Sequence, residues 1–558
     1  MTTSIERLKA RLADYRSIEE AMALLSWDQQ THMPKGGAPA RARQLATLSK
    51  LAHQTLVSSE TADLLAAAED EAAALDYDAD DAAFVRAARR DYDRWAKLPT
   101  EWVTTFASTT SQAHHVWEKA RAEKDYAAFA PWLTKIIDLC RQRVDYIGYE
   151  DRPYDALLDI YEPGMKTAEV GAIFDDLKAG LVPLVQKVLS RAGRTDDSVL
   201  HQAYDVDKQW RFGEAIIRDF GYDFERGRQD RSVHPFTTSF SVGDVRITTR
   251  FDPNWLAPAL FATMHEAGHA LYQQNVAQAF EGTILADGAS LGVHESQSRL
   301  WENIVGRSRG FWGHYYPRLQ ALFPEQLGNV DVETFYCAVN TVRPSFIRVE
   351  ADELTYNLHI MLRFELENAL LEGDLDVEDA PAAWNDKMEE LLGIQPIDDA
   401  QGILQDTHWS SGGFGYFPAY SLGNLLSAQL YAKAVADAPD IPDQIARGEF
   451  SALLGWMREH VHRHGRKYMP AELVQRATGE PMQARAYMDY LRAKYGAIYG
   501  GVRIAAARLA SSVARQDRES ACDFVFTHVV RSVSRYSVFF VTRRLKPSVN
   551  RGKWQARK

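Results

Sequence analysis

The sequence predicts a mainly α-helical protein built as one large unit, with a single small β-sheet inserted in it. Three observations support this. Apolar residues recur at the three-and-four spacing of helices across almost all of the first 130 residues, and again from Leu260 to Leu271. Strand-type alternation is found between Gln229 and Phe251. No internal repeat or Pro/Gly/Ser-rich linker divides the 558 residues, so residues 1–500 read as one domain.

In chain order, Ile5, Leu8, Leu12, Tyr15 and Ile18 form one helical stripe, which continues through Ala21, Leu24 and Leu25. The break at Pro34-Lys35-Gly36-Gly37 ends that helix, and the period resumes from Ala38 to Leu56. Residues 1–130 are therefore expected to form a helical cap of long antiparallel helices. Tyr154 to Met165 ends in a Pro-Gly turn, and another helix is expected from about Thr167 to Ala192. In QDRSVHPFTTSFSVGDVRITTRF, Phe240 and Val242 precede Gly243-Asp244, and Val245 and Ile247 follow. This reads as an antiparallel hairpin with a two-residue Gly-Asp loop, whose edge could hold an extended peptide. His234 precedes Pro235, which holds it extended; it is either a site residue or an ordinary loop histidine.

The helix Phe261 to Tyr272, FATMHEAGHALY, carries the chemistry. His265 and His269 stand one turn apart, about 5–6 Å between β-carbons, so both imidazoles can reach one tetrahedral Zn²⁺. Glu266 follows the first histidine directly and is placed to act as general base toward a water at the metal. A third ligand is needed. Glu295 lies 26 residues beyond His269 on a predicted helix that also carries Arg299 and Glu302, and chemistry alone leaves Glu281, Asp287 and Glu302 as alternatives.

The chain resembles the Taq-type metallocarboxypeptidases, the M32 peptidase family, over essentially residues 1–500. Six motifs carry the resemblance: His234-Pro235-Phe236, Asp244 to Thr248 (DVRIT), the HEAGH at 265–269, His294 to Gln297 (HESQ), Ile347 to Asp352 (IRVEAD) and Gly402 to Trp409 (GILQDTHW). The resemblance implies His265, His269 and Glu295 as zinc ligands, Glu266 as base, a helical fold with a deep groove, a homodimer, and release of single residues from peptide C-termini. Co²⁺ is expected to substitute for Zn²⁺.

Recognition of a free α-carboxylate favours arginine, whose planar fork offers paired donors. Arg348, placed on a helix predicted from Ser345 to Glu367, is the first candidate, and Arg246 is expected to shape the site. Ion pairs of Arg246 with Asp244, or of Arg348 with Asp352, are the structural alternatives. Asp352 or Glu350 could orient a zinc histidine. His408, Tyr416 and Tyr420 are candidate donors to the oxyanion, with packing as the alternative for each tyrosine. A zinc endo-oligopeptidase with the same triad, or a non-catalytic zinc scaffold, would be compatible with the metal motif.

Net charge is −12, and residues 501–558 hold thirteen Lys/Arg against three Asp/Glu, so residues 1–500 carry −22. An acidic body disfavours nucleic acid as partner. The basic tail, with Phe524, Phe526, Phe539 and Phe540, continues past the usual family end and reads as an appended, disordered extension or an artefact of gene prediction. Cys140, Cys337 and Cys522 are odd in number and far apart, which suits buried thiols in a reducing compartment. With no apolar run of membrane length and no signal-type start, a cytoplasmic protein without membrane contact is expected.

Overall fold

A computed structural model describes residues 2–500. The expected basic extension at 501–558, with Cys522, lies outside the described residues. Helix α1 (Ser4–Thr31) starts where the Thr3 hydroxyl accepts from the Glu6 amide and the Glu6 carboxylate accepts from the Thr3 amide. Helices α2 (Ala38–Leu56), α3 (Ser59–Ala72), α4 (Asp80–Ala96), α5 (Thr100–Glu123) and α6 (Tyr126–Ile147) follow, as the periodicity predicts. Ile5, Leu8 and Leu12 of α1 join Leu65 and Phe84 in a small core of their own. That core is completed by Val242, Phe280 and Leu285 from the centre of the chain, so the first helices are anchored beside the site.

Beyond α7 (Pro153–Leu158), α8 (Thr167–Leu189) and α9 (Val206–Phe220) comes the sheet of β1 (Gln229–Arg231), β2 (Thr237–Ser241) and β3 (Asp244–Thr249). It is mixed, not antiparallel: the order is β1-β3-β2, with β1 parallel and β2 antiparallel to β3. Two chain reversals, one on each side of β2, bring β1 and β3 into the same direction, and the three residues of β1 are too few to announce a strand. The hairpin loop is Val242-Gly243, because Asp244 already pairs with Ser241. Val242 is drawn out of the ladder by burial among the N-terminal helices, and its amide donates to Glu281.

Helix α10 (Leu256–Gln274) has no exposed face: Glu266, Gln273 and Gln274 are buried along with its apolar residues. A helix buried all round lies in the core of a large protein, so its polar side needs internal partners. Beside it runs α11 (Leu291–Arg299), which continues as a wider π-helical segment from Leu300 to Val305. The predicted helix over Ser345–Glu367 begins later. Arg348–Glu350 is a 3₁₀ turn, and the α-helix runs Tyr356–Glu372, because Asp352 accepts from the Leu354 and Thr355 amides and halts the chain before it. Cys140 is buried and Cys337 only half-buried. No helix among the described residues is long and apolar enough to cross a membrane.

Two glycines set how closely α11 is held. A β-carbon at Gly268 of α10 would lie 2.5 Å from the Gln297 carbonyl oxygen, and one at Gly423 of the helix Pro418–Asp437 would lie 2.5 Å from Cβ and Cγ of Glu295. α11 is thus clamped between two helices with no room for a methyl group. Glycine to alanine in an ordinary helix interior gains about 0.5–1 kcal/mol. Here Gly268→Ala and Gly423→Ala are each expected to lose about 1–3 kcal/mol through overpacking. The sign of the change in thermal unfolding midpoint decides, and a gain at either position would contradict the clamp.

Candidate metal centre and catalytic cavity

The i, i+4 spacing on α10 places the His265 and His269 rings 5.0 Å apart, nearly perpendicular. Glu295 Oε2 from α11 lies 3.6 Å from His265 Nε2 and 3.4 Å from His269 Nε2. Donors about 2.1 Å from one tetrahedral ion stand roughly 3.4 Å from one another, so this triangle fits a metal. Among the described residues, these three form the one cluster of such groups with metal-holding spacing. The other acids considered are engaged elsewhere. Glu302 stands behind His265, Glu281 accepts from Val242, and Asp287 accepts from Gln273 and the Gly288 amide.

A lattice of polar groups orients each donor. Glu302 Oε2 lies 2.9 Å from His265 Nδ1, which directs Nε2 toward the cluster. Asp352 and Glu350, expected in that role, are not there: Asp352 caps the following helix and Glu350 is exposed. Arg299 donates to Glu295 Oε1 at 2.6 Å and to Glu302 at 3.2 Å, while Glu295 Oε2, which the Ser298 hydroxyl approaches to 3.0 Å, faces the histidines. Burial alone would push the Glu295 carboxyl up, but Arg299 and the two imidazoles outweigh it and hold the group below the usual carboxylate range. His269 Nδ1 meets His294 Nδ1 at 2.9 Å, and burial, with His269 beside it, pushes His294 well below the usual imidazole range. The start of α11 is fixed as well, by the Tyr161 carbonyl and by the buried Glu162, which accept from the Leu291 and Gly292 amides.

These groups open onto a cavity of about 670 Å³. Phe236 and the first residues of edge strand β2, Thr237 to Ser239, form one wall, Arg16, Glu19, Glu20 and Ala23 of α1 another, and Tyr416, Ala419 and Tyr420 a third. Glu266 lines it too, with Oε2 accepting from the Thr237 hydroxyl at 2.6 Å. A second depression of about 560 Å³, around His32, Trp210 and Arg231, shares no residue with it.

The remaining sequence candidates are distributed differently. Arg246 is bound through two nitrogens to Asp244, at 2.8 and 2.7 Å, with its guanidinium over Trp27 and Phe240. Arg348 is buried and pairs not with Asp352 but with Asp406, at 3.0 and 2.7 Å, while its Nη1 donates to Tyr356. Arg363 binds the other oxygen of Asp406. Two guanidiniums thus share one carboxylate, leaving one positive charge in excess directly behind Tyr420, whose ring centre is 4.8 Å from Arg348. His408 Nε2 lies 3.2 Å from the Tyr420 hydroxyl, and burial pushes the imidazole down to about 3. Arg246, Arg348 and His408 are not among the cavity's lining residues, so any effect of Arg348 on a bound anion passes through Tyr420. His234 is exposed and also outside the lining, although its neighbour Pro235 belongs to it.

The sequence offers Glu302 only as an alternative ligand, not as the support of His265 that it is, and assigns no role to Arg299, Thr237 or Glu367. Glu302 and Arg299 follow the third donor at helical spacing, a usable signal, whereas a threonine in a strand and a glutamate inside an apolar helix carry none. Glu367 is fully buried and accepts from Tyr154, from the Trp409 indole and from the Gly415 amide. It thereby fastens the glycine-rich segment that leads to Tyr416 and Tyr420.

The sequence profile of the carboxypeptidase Taq (M32) metallopeptidase family matches residues 7–495, and the chain belongs to that family. It is 44% identical over 487 residues to thermostable carboxypeptidase 1 of Thermus thermophilus, covering 86% of this chain and 95% of that protein. It is 40% identical to carboxypeptidase 1 of Bacillus subtilis, covering 88% and 97%. The crystal structure of the M32 carboxypeptidase from Deinococcus radiodurans superposes with a TM-score of 0.87 at 44% identity, over 89% of this chain and 99% of that one. The chain is a metallocarboxypeptidase.

Two outcomes follow from this geometry. Glu302→Ala is expected to weaken metal binding about 10–100-fold in chelator competition, since His265 loses the group that fixes its ring; unchanged affinity would refute that role. Glu367 is pushed up to about 7 by burial, with Tyr154, Gly415 and Trp409 pulling the other way. A carboxyl whose folded pKa is raised favours the fold at low pH and loses that contribution as pH rises through 7. Between pH 5 and 7 the parent should therefore lose on the order of 2 kcal/mol relative to Glu367→Gln. Parallel denaturant titrations at the two pH values check this, and a constant gap would contradict it.

Proposed function

We propose that this M32 carboxypeptidase releases single amino acids from the free C-termini of peptides, with Zn²⁺ held by His265, His269 and Glu295 and with Glu266 as general base. The observation that carries this reading is the triangle of three donors with the Glu266 carboxylate beside it in one cavity. When bound, Zn²⁺ supplies Lewis acidity, which makes water acidic enough to react near neutral pH. Co²⁺ would be accepted by the same donors.

The protein's own groups do the rest. Glu266 takes a proton from the attacking water and hands it to the departing amine. An extended substrate lies along the edge of β2, where Phe236 to Ser239 face the cavity. Tyr416 and Tyr420 present phenols to the oxygen that gains charge, with Tyr420 held from behind by His408. Of the two arginines, the charge balance favours Arg348 for the terminal carboxylate, because Asp244 cancels Arg246 while Arg348 and Arg363 share Asp406. Arg246 then supports the hairpin, and His234 stands near its rim. Residues 1–500 act as the catalytic unit; the enzyme works as a homodimer, as its family likeness implies, and in the cytoplasm, which its three widely spaced cysteines suit.

Mass spectrometry of a peptide ladder tests this reading. Single residues should leave the C-terminus, chelator should stop the reaction, and a C-terminally amidated peptide should resist. Cleavage of the amidated peptide at internal bonds would instead establish an endo-oligopeptidase. Glu266→Gln should keep its metal and lose turnover by at least about 100-fold; normal turnover would remove Glu266 from the chemistry.

A further inference from the structure

Glu266 has two carboxylate oxygens, and the structure treats them differently. Thr237 projects from β2 toward α10, and its Oγ1 lies 2.6 Å from Glu266 Oε2 and 2.9 Å from the Glu266 carbonyl oxygen. A hydroxyl carries one hydrogen, and the shorter contact to the charged acceptor takes it. Among the described residues no donor reaches Oε1 at hydrogen-bond distance. The carboxylate is thus tied down at one oxygen and open at the other.

We infer that Thr237 is a positioning residue for the base: its hydroxyl engages Glu266 Oε2 and turns the unbonded Oε1 toward the proton it receives. The inference rests on the reading of Glu266 as general base. In the step concerned, an O–H bond of water breaks and an Oε1–H bond forms, and that proton later passes to the leaving nitrogen. Without the hydroxyl, the Glu266 side chain can turn about its last bond, and either oxygen can face the water at the wrong angle. Thr237 is also well anchored, paired with Ile247 across the ladder on a strand that lines the cavity. The main chain that would align an extended substrate therefore also carries the group that aligns the base.

The role is separable from metal binding, and from substrate alignment, which falls to the β2 main chain and not to the Thr237 hydroxyl. Thr237 touches neither His265, His269 nor Glu295 through a hydrogen bond, so its hydroxyl should affect the rate constant and little else. Thr237→Val keeps the branched shape that strands favour and removes only the donor. Full-length Thr237→Val, Thr237→Ala and Thr237→Ser are compared with the parent and with Glu266→Gln for kcat, KM, zinc affinity by chelator competition and melting curve. The expected result is a kcat reduced about 10–100-fold in the valine and alanine variants, KM and zinc affinity within about twofold of the parent, and recovery of most of kcat in the serine variant. A valine variant that folds and turns over like the parent overturns the inference. So does a loss confined to KM or accompanied by loss of zinc, or a serine variant as slow as valine. Alanine decides where valine fails to fold. Should Glu266→Gln itself retain turnover, the reading of the base falls first; an inactive Glu266→Gln beside an unaffected Thr237→Val removes only the positioning role.

Discussion

A buried carboxylate has to stay ionised and aimed at two imidazoles, and most of the surrounding structure serves that requirement. Moving Glu295 out of water favours its neutral form, which could not hold a cation. Arg299, one turn along the same helix, supplies the compensating charge and occupies the oxygen facing away from the histidines. The same guanidinium reaches Glu302, and Glu302 reaches His265, so one arginine orders both a donor and the support of another donor. The wide helical turn after Arg299 belongs to this lattice, since it carries Glu302. Such segments are uncommon and concentrate at functional sites. Packing completes the constraint: with Gly268 on one side and Gly423 on the other, α11 can be neither displaced nor rotated without a collision.

A second charged cluster lies behind the opposite wall. Asp406 is shared by Arg348 and Arg363, with His408 kept neutral by burial close by. An interior excess of positive charge is unfavourable unless something offsets it. The aromatic faces of Tyr420, Phe417 and Trp384 over these guanidiniums supply part of that, and an anion at the cavity wall would supply the remainder.

The sequence made the helices and the metal donors legible because both depend on short-range periodicity. His265, Glu266 and His269 are fixed relative to one another by helix geometry alone. Ile5, Leu8, Leu12 and Tyr15 of α1 are buried as their spacing predicts, whereas Ala21 and Leu24 further along the expected stripe are exposed and α2 buries only Ala52 and Leu56. Interactions that bridge distant segments left no such trace. Arg348 finds Asp406 58 residues away rather than Asp352 four residues on, and Glu367 reaches Tyr154 from 213 residues away. The sheet was half legible. A hairpin declares itself by alternation and a turn, whereas β1 is a strand only because β3 offers it an edge. Local preference also misled at Val242, which leaves the ladder to fill the small core under the first helices.

The two clusters together suggest why the bond cut should be the last one. One end of the cavity is built to hold a divalent cation, and the wall near Tyr420 backs onto uncompensated positive charge. A peptide bond anywhere can offer its carbonyl to the first, but only the terminal one also carries a carboxylate a few ångströms further along. Under the proposed roles, binding energy from that carboxylate would fix which carbonyl meets the metal, and it would be available to no internal bond. In the proposed arrangement, exopeptidase selectivity would come from the positive charge behind Tyr420 acting together with the metal donors.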